Sequence, residues 1–257
     1  MISSRALIVA GAVLSALLIV LATVPARFVN RLVDQDTVHL SGLSGSLWRG
    51  RAARAVLSTS RGPVHLGELR WRVSPLSLLT FAPRIALRTE WGMQRVRLVA
   101  RPRSGQLLLR DVDASFNAAL LQQLLPITVA GRLELQFEEL RLAQNLLIEA
   151  RGQLVWREAA WRSASGLNRL GSYALLVTTG AVSDSDDTQI SAGIETLAGP
   201  VRAEGSAVLR GRRYFIDANI DAQGGLHPEL ERALALIASP AQSGYLLRLD
   251  GDLPDES

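Results

Sequence analysis

The chain has no cysteine, and none of its 28 basic residues is a lysine: all are arginine. The first absence excludes disulfide frameworks, thiol nucleophiles and cysteine-ligated metals. The second removes the amine that Walker-type phosphate loops, Schiff-base chemistry and Ser–Lys nucleophiles require. Aromatic residues are sparse at 5%, and only three histidines occur, His39, His65 and His227, with no metal-binding spacing among them. No G-x-S-x-G nucleophile elbow is present. All-arginine usage has two readings, a coding bias in a GC-rich genome or selection for always-charged forks that grip carboxylates and phosphates.

What is present is apolar. Of 257 residues 48% are hydrophobic, the net charge is +4, and the mean hydropathy is +0.17. Such a composition excludes a disordered chain and supplies ample material for a core. Residues 6–24, ALIVAGAVLSALLIVLATV, carry no charge. Nineteen such residues in a helix span ~28 Å, close to the hydrocarbon thickness of a bilayer. This stretch reads as an uncleaved transmembrane anchor. A signal peptide, the competing reading, usually has a shorter apolar region of ~7–15 residues, and the best small-residue site here is Val24-Pro25-Ala26. The basic flanks nearly balance, with Arg5 and the free amine on one side and Arg27 and Arg31 on the other. The very short tail, residues 1–5, favours a cytoplasmic N-terminus and export of the remainder.

After a connector, residues 25–36, period-two alternation dominates from 37 to 253, and residues 254–257 form a tail. Leu133, Leu135 and Phe137 alternate with Arg132, Glu134, Gln136 and Glu138; Leu69, Trp71 and Val73 alternate with Arg70 and Arg72. The same holds over Ile85–Trp91, Ile148–Trp156 and Tyr214–Asp221. Strands with one dry face, recurring every ~10–20 residues and split by Gly, Pro, Ser and Asp clusters, predict an antiparallel meander. Three helical pieces are expected: Ala118–Leu125, Pro228–Ala238 with Ser239-Pro240 as its stop, and a turn over Pro75–Leu79. A Gly-x-Leu-x-apolar pattern recurs at 67–71, 131–135 and 152–156, read as the beginnings of strands.

Chemical motifs fail one by one. Gly45-Ser-Leu-Trp-Arg-Gly50 has the two-glycine spacing of a phosphate loop, but Arg51 and Ala52 stand where lysine and a hydroxyl are needed. The acids Asp184, Asp186 and Asp187 echo a calcium loop that lacks its glycine, and read as a hairpin turn. Arginines scattered along strand faces and offset by 24 acids do not make a nucleic-acid surface. No catalytic residue, metal ligand or cofactor is assigned. Trp48, Trp71, Trp91, Trp156 and Trp161 lie in or beside the strands, where they fill a thin core or mark an apolar or membrane-proximal surface.

An anchor followed by Leu43-Ser-Gly-Ser-Leu-Trp-Arg-Gly50 and then by Leu66-Gly-Glu-Leu-Arg-Trp-Arg-Val-Ser-Pro-Leu-Ser-Leu-Leu79 resembles the type II secretion system protein N family. In that family a G-x-x-W-x-G element (Gly45, Trp48, Gly50) precedes an L-x-W-x-x-x-P-x-x-L element (Leu69, Trp71, Pro75; Leu79 completes the stretch). Gly67 and the Gly152–Trp156 strand also match, whereas the acidic end, residues 250–257, is not matched. The resemblance implies a mainly β protein: one transmembrane helix, then a curled antiparallel meander like the gutter of AsmA-like relatives, with two or three short helices. It further implies a single-pass accessory component of the type II secretion system in the cell inner membrane, its bulk in the periplasm, supporting assembly or stability of the machinery that exports folded proteins. Its partners would be other secretion components and the inner membrane. The alternative is a periplasmic lipid-handling protein that holds acyl chains in an apolar β gutter.

Overall fold

Alternating side chains need a sheet to separate them, and the chain supplies strands wherever the alternation was read. A computed structural model describes residues 24–31, 36–59, 62–78, 82–119, 129–144, 146–163, 166–181, 188–222, 225–226, 228–241 and 244–253. The anchor stretch except Val24, the acids Asp184–Asp187, His227, Leu79 and both tails lie outside them. No helix among the described residues is long and apolar enough to cross a membrane. The chain divides into two compact units, Met1–Trp91 and Gly92–Ser257.

In the first unit a 3-10 helix, Ala26–Arg31, precedes β1 (Val38–Gly45), β2 (Arg49–Thr59), β3 (Gly62–Val73), a single helical turn α1 (Pro75–Leu78) and β4 (Ile85–Trp91). The strands pair antiparallel in chain order. Leu43, Leu69, Val73 and Leu87 pack with buried Ala26, Ala52 and Trp71 on the dry face, and Arg70 and Arg72 are exposed on the other. The β4 boundaries coincide with the alternation read over Ile85–Trp91.

The second unit holds β5 (Gln94–Arg103), β6 (Gln106–Asn117), β7 (Val129–Ala143), β8 (Leu146–Ser163), β9 (Gly166–Ala181), β10 (Thr188–Ala198), β11 (Val201–Arg210), β12 (Arg213–Ala222), α2 (Pro228–Leu234), β13 (Ala238–Ala241) and β14 (Gly244–Asp252). Strands β5 to β12 follow chain order, then β14 pairs with β12 and β13 lies outermost. Cross-strand register sorts the residues into two faces. Ala114, Leu135, Leu154, Leu175, Ile194, Gly205, Ala218 and Leu247 stand side by side across β6–β12 and β14. One residue back along β6, on the opposite face, the row reads Asp113, Gln136, Gln153, Leu176, Gly193, Ser206, Asp217 and Arg248. The first row is apolar and the second mostly polar, with Leu176 exposed among its polar residues.

Two expectations need correction. The helix begun by Pro228 ends at Leu234 rather than Ala238, and Ser239-Pro240 belongs to β13 instead of acting as its stop. An outermost strand tolerates proline, because its outward N–H has no ladder partner to lose. The glycines of the Gly-x-Leu-x-apolar pattern do not begin strands: Gly67 lies inside β3, Gly131 inside β7 and Gly152 inside β8. Register shifts cluster around them, at Ala52/Ala55, Ala130/Arg132 and Phe137/Glu139. They mark bulges, where an extra residue bends the strand. Of the expected helix Ala118–Leu125, only Ala118 and Ala119 are among the described residues, in a 3-10 turn.

On the wet face Glu139 accepts hydrogen bonds at 2.9 Å from Nη2 of both Arg110 and Arg141, and Arg141 also lies 3.2 Å from Glu149. Burial pushes the Glu139 carboxyl up, but the hydrogen bond from Arg141 and the charge and hydrogen bond of Arg110 outweigh it, so its pKa lies below the ordinary glutamate value. A lowered folded-state pKa gives stability that is complete above the unfolded value of ~4.3 and is lost as pH falls through the folded one. Urea midpoints taken near pH ~7 and ~3 should therefore differ less for Glu139→Gln than for the wild type. An unchanged acid slope would show that the network contributes nothing to folding.

Candidate interaction surface around Trp71

The turn from β1 to β2 is closed by Ser46: its N–H donates to the Arg49 carbonyl at 3.0 Å, and its Oγ accepts from the Arg49 N–H at 3.2 Å. This places Gly50 directly opposite Trp71 in the β2–β3 register. The indole lies across that glycine, since a Cβ there would be 2.3 Å from Trp71 Cζ2. Trp71 is only 6% exposed, and its Nε1 donates to the Leu47 carbonyl at 3.0 Å. The Trp48 carbonyl accepts from the Val73 N–H at 2.7 Å. The G-x-x-W-x-G and L-x-W elements, separated in sequence, thus form one joint.

The joint also captures the chain that follows the apolar stretch. The Leu47 N–H donates to the Val24 carbonyl at 2.8 Å, Pro25 bridges to Ser46, and Ala26 is buried with Ala52 and Trp71. Pro75 opens α1, which leads from β3 toward β4; there Ser77 Oγ accepts from the Arg84 N–H at 2.8 Å. Leu69 packs against the same cluster. Gly67, at φ +74°, brings the β4 backbone so close that a Cβ would lie 2.4 Å from the Glu90 carbonyl oxygen.

Trp156 repeats the device in the second unit, lying over Gly131, where a Cβ would be 2.9 Å from its Nε1, while Gly152 packs against the β7 backbone. Trp156 Nε1 donates to the Ala130 carbonyl at 3.0 Å, and its ring lies 6.2 Å from that of Tyr173. The Tyr173 hydroxyl donates to the Val201 carbonyl at 3.0 Å, and burial pushes its pKa up to about 12. Both indoles reach back to a carbonyl, 24 and 26 residues earlier respectively. The recurrent pattern over 67–71 and 152–156 is therefore a repeated structural part. Trp91 is half exposed and stacks on His65 at 6.2 Å between ring centres.

Among the described residues no three His, Asp or Glu side chains gather as metal ligands. His39 Nδ1 lies 3.4 Å from Ser58 Oγ. Register brings together something that chain order disperses: Arg49 faces Arg72, and Arg51, Arg70 and Arg88 stand in line across β2, β3 and β4. The shared phase of Arg49-x-Arg51 and Arg70-x-Arg72 was the available signal, but only pairing tells which arginines meet.

A profile of the family described as Type II secretion system (T2SS), protein N matches residues 36–248. That span contains every family-motif residue named above and stops short of the apolar stretch. The Type II secretion system protein N of Aeromonas hydrophila is 26% identical over 243 residues, covering 90% of this chain and 92% of that protein. No solved structure matches the chain. The profile covers most of the chain, which belongs to the type II secretion system protein N family.

Proposed function

We propose that the chain is an accessory inner-membrane component of the type II secretion system. Residues 6–24 would anchor it in a single pass with residues 1–5 in the cytoplasm, and residues 37–253 would lie in the periplasm. There it supports the assembly or stability of the machinery that exports folded proteins, associates with other secretion components, and carries no catalysis of its own. Beside the family match, the observation that carries this reading is the Val24–Leu47 hydrogen bond, which welds the end of the apolar stretch into a rigid sheet. A sheet held this way offers its outermost strand, β1, to partners that add a strand of their own.

The test is crosslinking in cells. A photo-reactive residue at Ser41, exposed on β1, should attach to other secretion components, and intact-mass measurement of the membrane-purified protein should find residues 1–26 retained. An N-terminus at Arg27, or no protein adducts from Ser41, would overturn the reading.

The apolar row across β6–β14 favours a second reading, in which that face holds acyl chains. The row crosses eight strands, and its Leu135, Leu154, Leu175, Ile194 and Leu247 are only half-buried, which leaves apolar surface for a chain to lie on. The same crosslinker at Leu175 separates the two: lipid adducts there support lipid handling, and protein adducts alone count against it.

A further inference from the structure

Five of the six arginines of β2–β4, Arg49, Arg51, Arg70, Arg72 and Arg88, share one face, because residues paired across antiparallel strands project to the same side. With Ser44 they line a concavity of about 720 Å³. Glu68 and Glu90 are the acids beside them, so five arginines against two glutamates leave three positive charges uncompensated. Arg70 Nε donates to Glu68 at 2.7 Å, Arg88 Nε to Glu90 at 2.9 Å, and Arg51 Nε to Ser44 Oγ at 2.9 Å. Arg49 and Arg72 face each other directly, and neither guanidinium has a hydrogen bond or ion pair to another side chain among the described residues. Like charges placed opposite one another destabilise a sheet unless something lies between them. Two always-charged planar forks converging on one hollow suit an anion with several oxygens, and phosphate is the group such forks bind bidentately.

The position of the pair selects the source of that phosphate. Arg49 follows Trp48 and lies two residues from Leu47, whose N–H holds the carbonyl of Val24, the last residue of the apolar stretch. Arg72 precedes Val73, which is bonded to Trp48. The ladder therefore begins where the chain leaves its apolar segment. Trp48 at that point suits a headgroup layer, where tryptophan is enriched. We infer that this arginine ladder binds the phosphate groups of anionic lipid headgroups at the surface of the membrane from which the chain emerges. The inference rests on residues 6–24 being the anchor.

The full chain is reconstituted into bilayer discs of phosphatidylcholine alone, or of phosphatidylcholine with phosphatidylglycerol as the minor component. Phenylglyoxal then modifies accessible arginines, and peptide mass spectrometry gives the rate at each. Arg202, exposed on β11, is the internal reference. Modification of Arg49 and Arg72 should be slower by about 5-fold in the anionic discs, the factor that ~1 kcal/mol of surface attraction per charge implies. Arg202 should be unaffected, and high salt should erase the difference as the Debye length shrinks.

Equal rates in both discs, with the chain still resisting an alkaline wash, would overturn the inference while leaving the anchor intact, and would assign the ladder to an acidic protein instead. Equal protection by inorganic phosphate in the neutral discs would also overturn it, in favour of a soluble anion. A chain washed off both kinds of disc would overturn the anchor reading and this one with it.

Discussion

Trp71→Ala should lower the stability of the Met1–Trp91 unit by about 3–5 kcal/mol, the usual range for removing a buried large aromatic side chain. The indole is 6% exposed and packs with Ala26 and Ala52. Its Nε1–H meets the Leu47 carbonyl, so truncation also strands an acceptor. The expected result is a lower urea midpoint and a lower steady-state level of the protein in cells. Gly50→Ala should produce much of the same loss, because its Cβ would occupy the space of the ring. In a Trp71→Ala background that second loss should shrink, to the part set by the Ser46 carbonyl 2.9 Å from the new Cβ, which is the non-additivity expected of residues in contact. If Trp71→Ala were as stable as wild type yet failed in secretion, the tryptophan would be a binding residue and the joint would have been misread.

Gly152→Ala carries the second-largest expected effect, about 2–4 kcal/mol, from a backbone held in a region closed to side chains and from overpacking. Its φ is +154°, and a Cβ there would lie 2.2 Å from the Gln136 carbonyl oxygen and 2.5 Å from the Phe137 Cα. Both are backbone atoms, so no rotamer change can relieve them. Gly180 in β9 is the control, since a Cβ there meets nothing within 4 Å. Gly180→Ala should be close to neutral. The two variants are compared by thermal melting and by protease resistance of the Gly92–Ser257 unit. Similar shifts for both would show that the bulge tolerates a side chain.

Strand identity was legible because it is local. Ile85–Trp91 was read with its eventual boundaries, and the dry faces of Leu69–Val73 and Tyr214–Ile220 follow from alternation alone. Glycine was misread for a non-local reason. Nothing near Gly152 in sequence announces that the backbone of Gln136 and Phe137 will press against it. The arginines were hidden in the same way. Arg49 and Arg72 are neighbours only through the β2–β3 register, which depends on the bulge between Ala52 and Ala55. Helix α2 was placed by its proline, but its end was missed because an edge strand can accept Pro240. The capture of Val24 by Leu47 lay in backbone groups that carry no sequence signal.

From β5 to β12 each strand turns straight back on the one before it. Such a ribbon can change in length, but only in one kind of step. Losing or gaining a whole hairpin lets the flanking strands meet antiparallel, with the apolar row still on its own side. Losing one strand would bring two parallel strands together. The alternative would be to turn over everything downstream, setting Asp217 and Arg248 where Ala218 and Leu247 now lie. Relatives of this chain that lose or gain strands inside this ribbon should therefore do so in pairs.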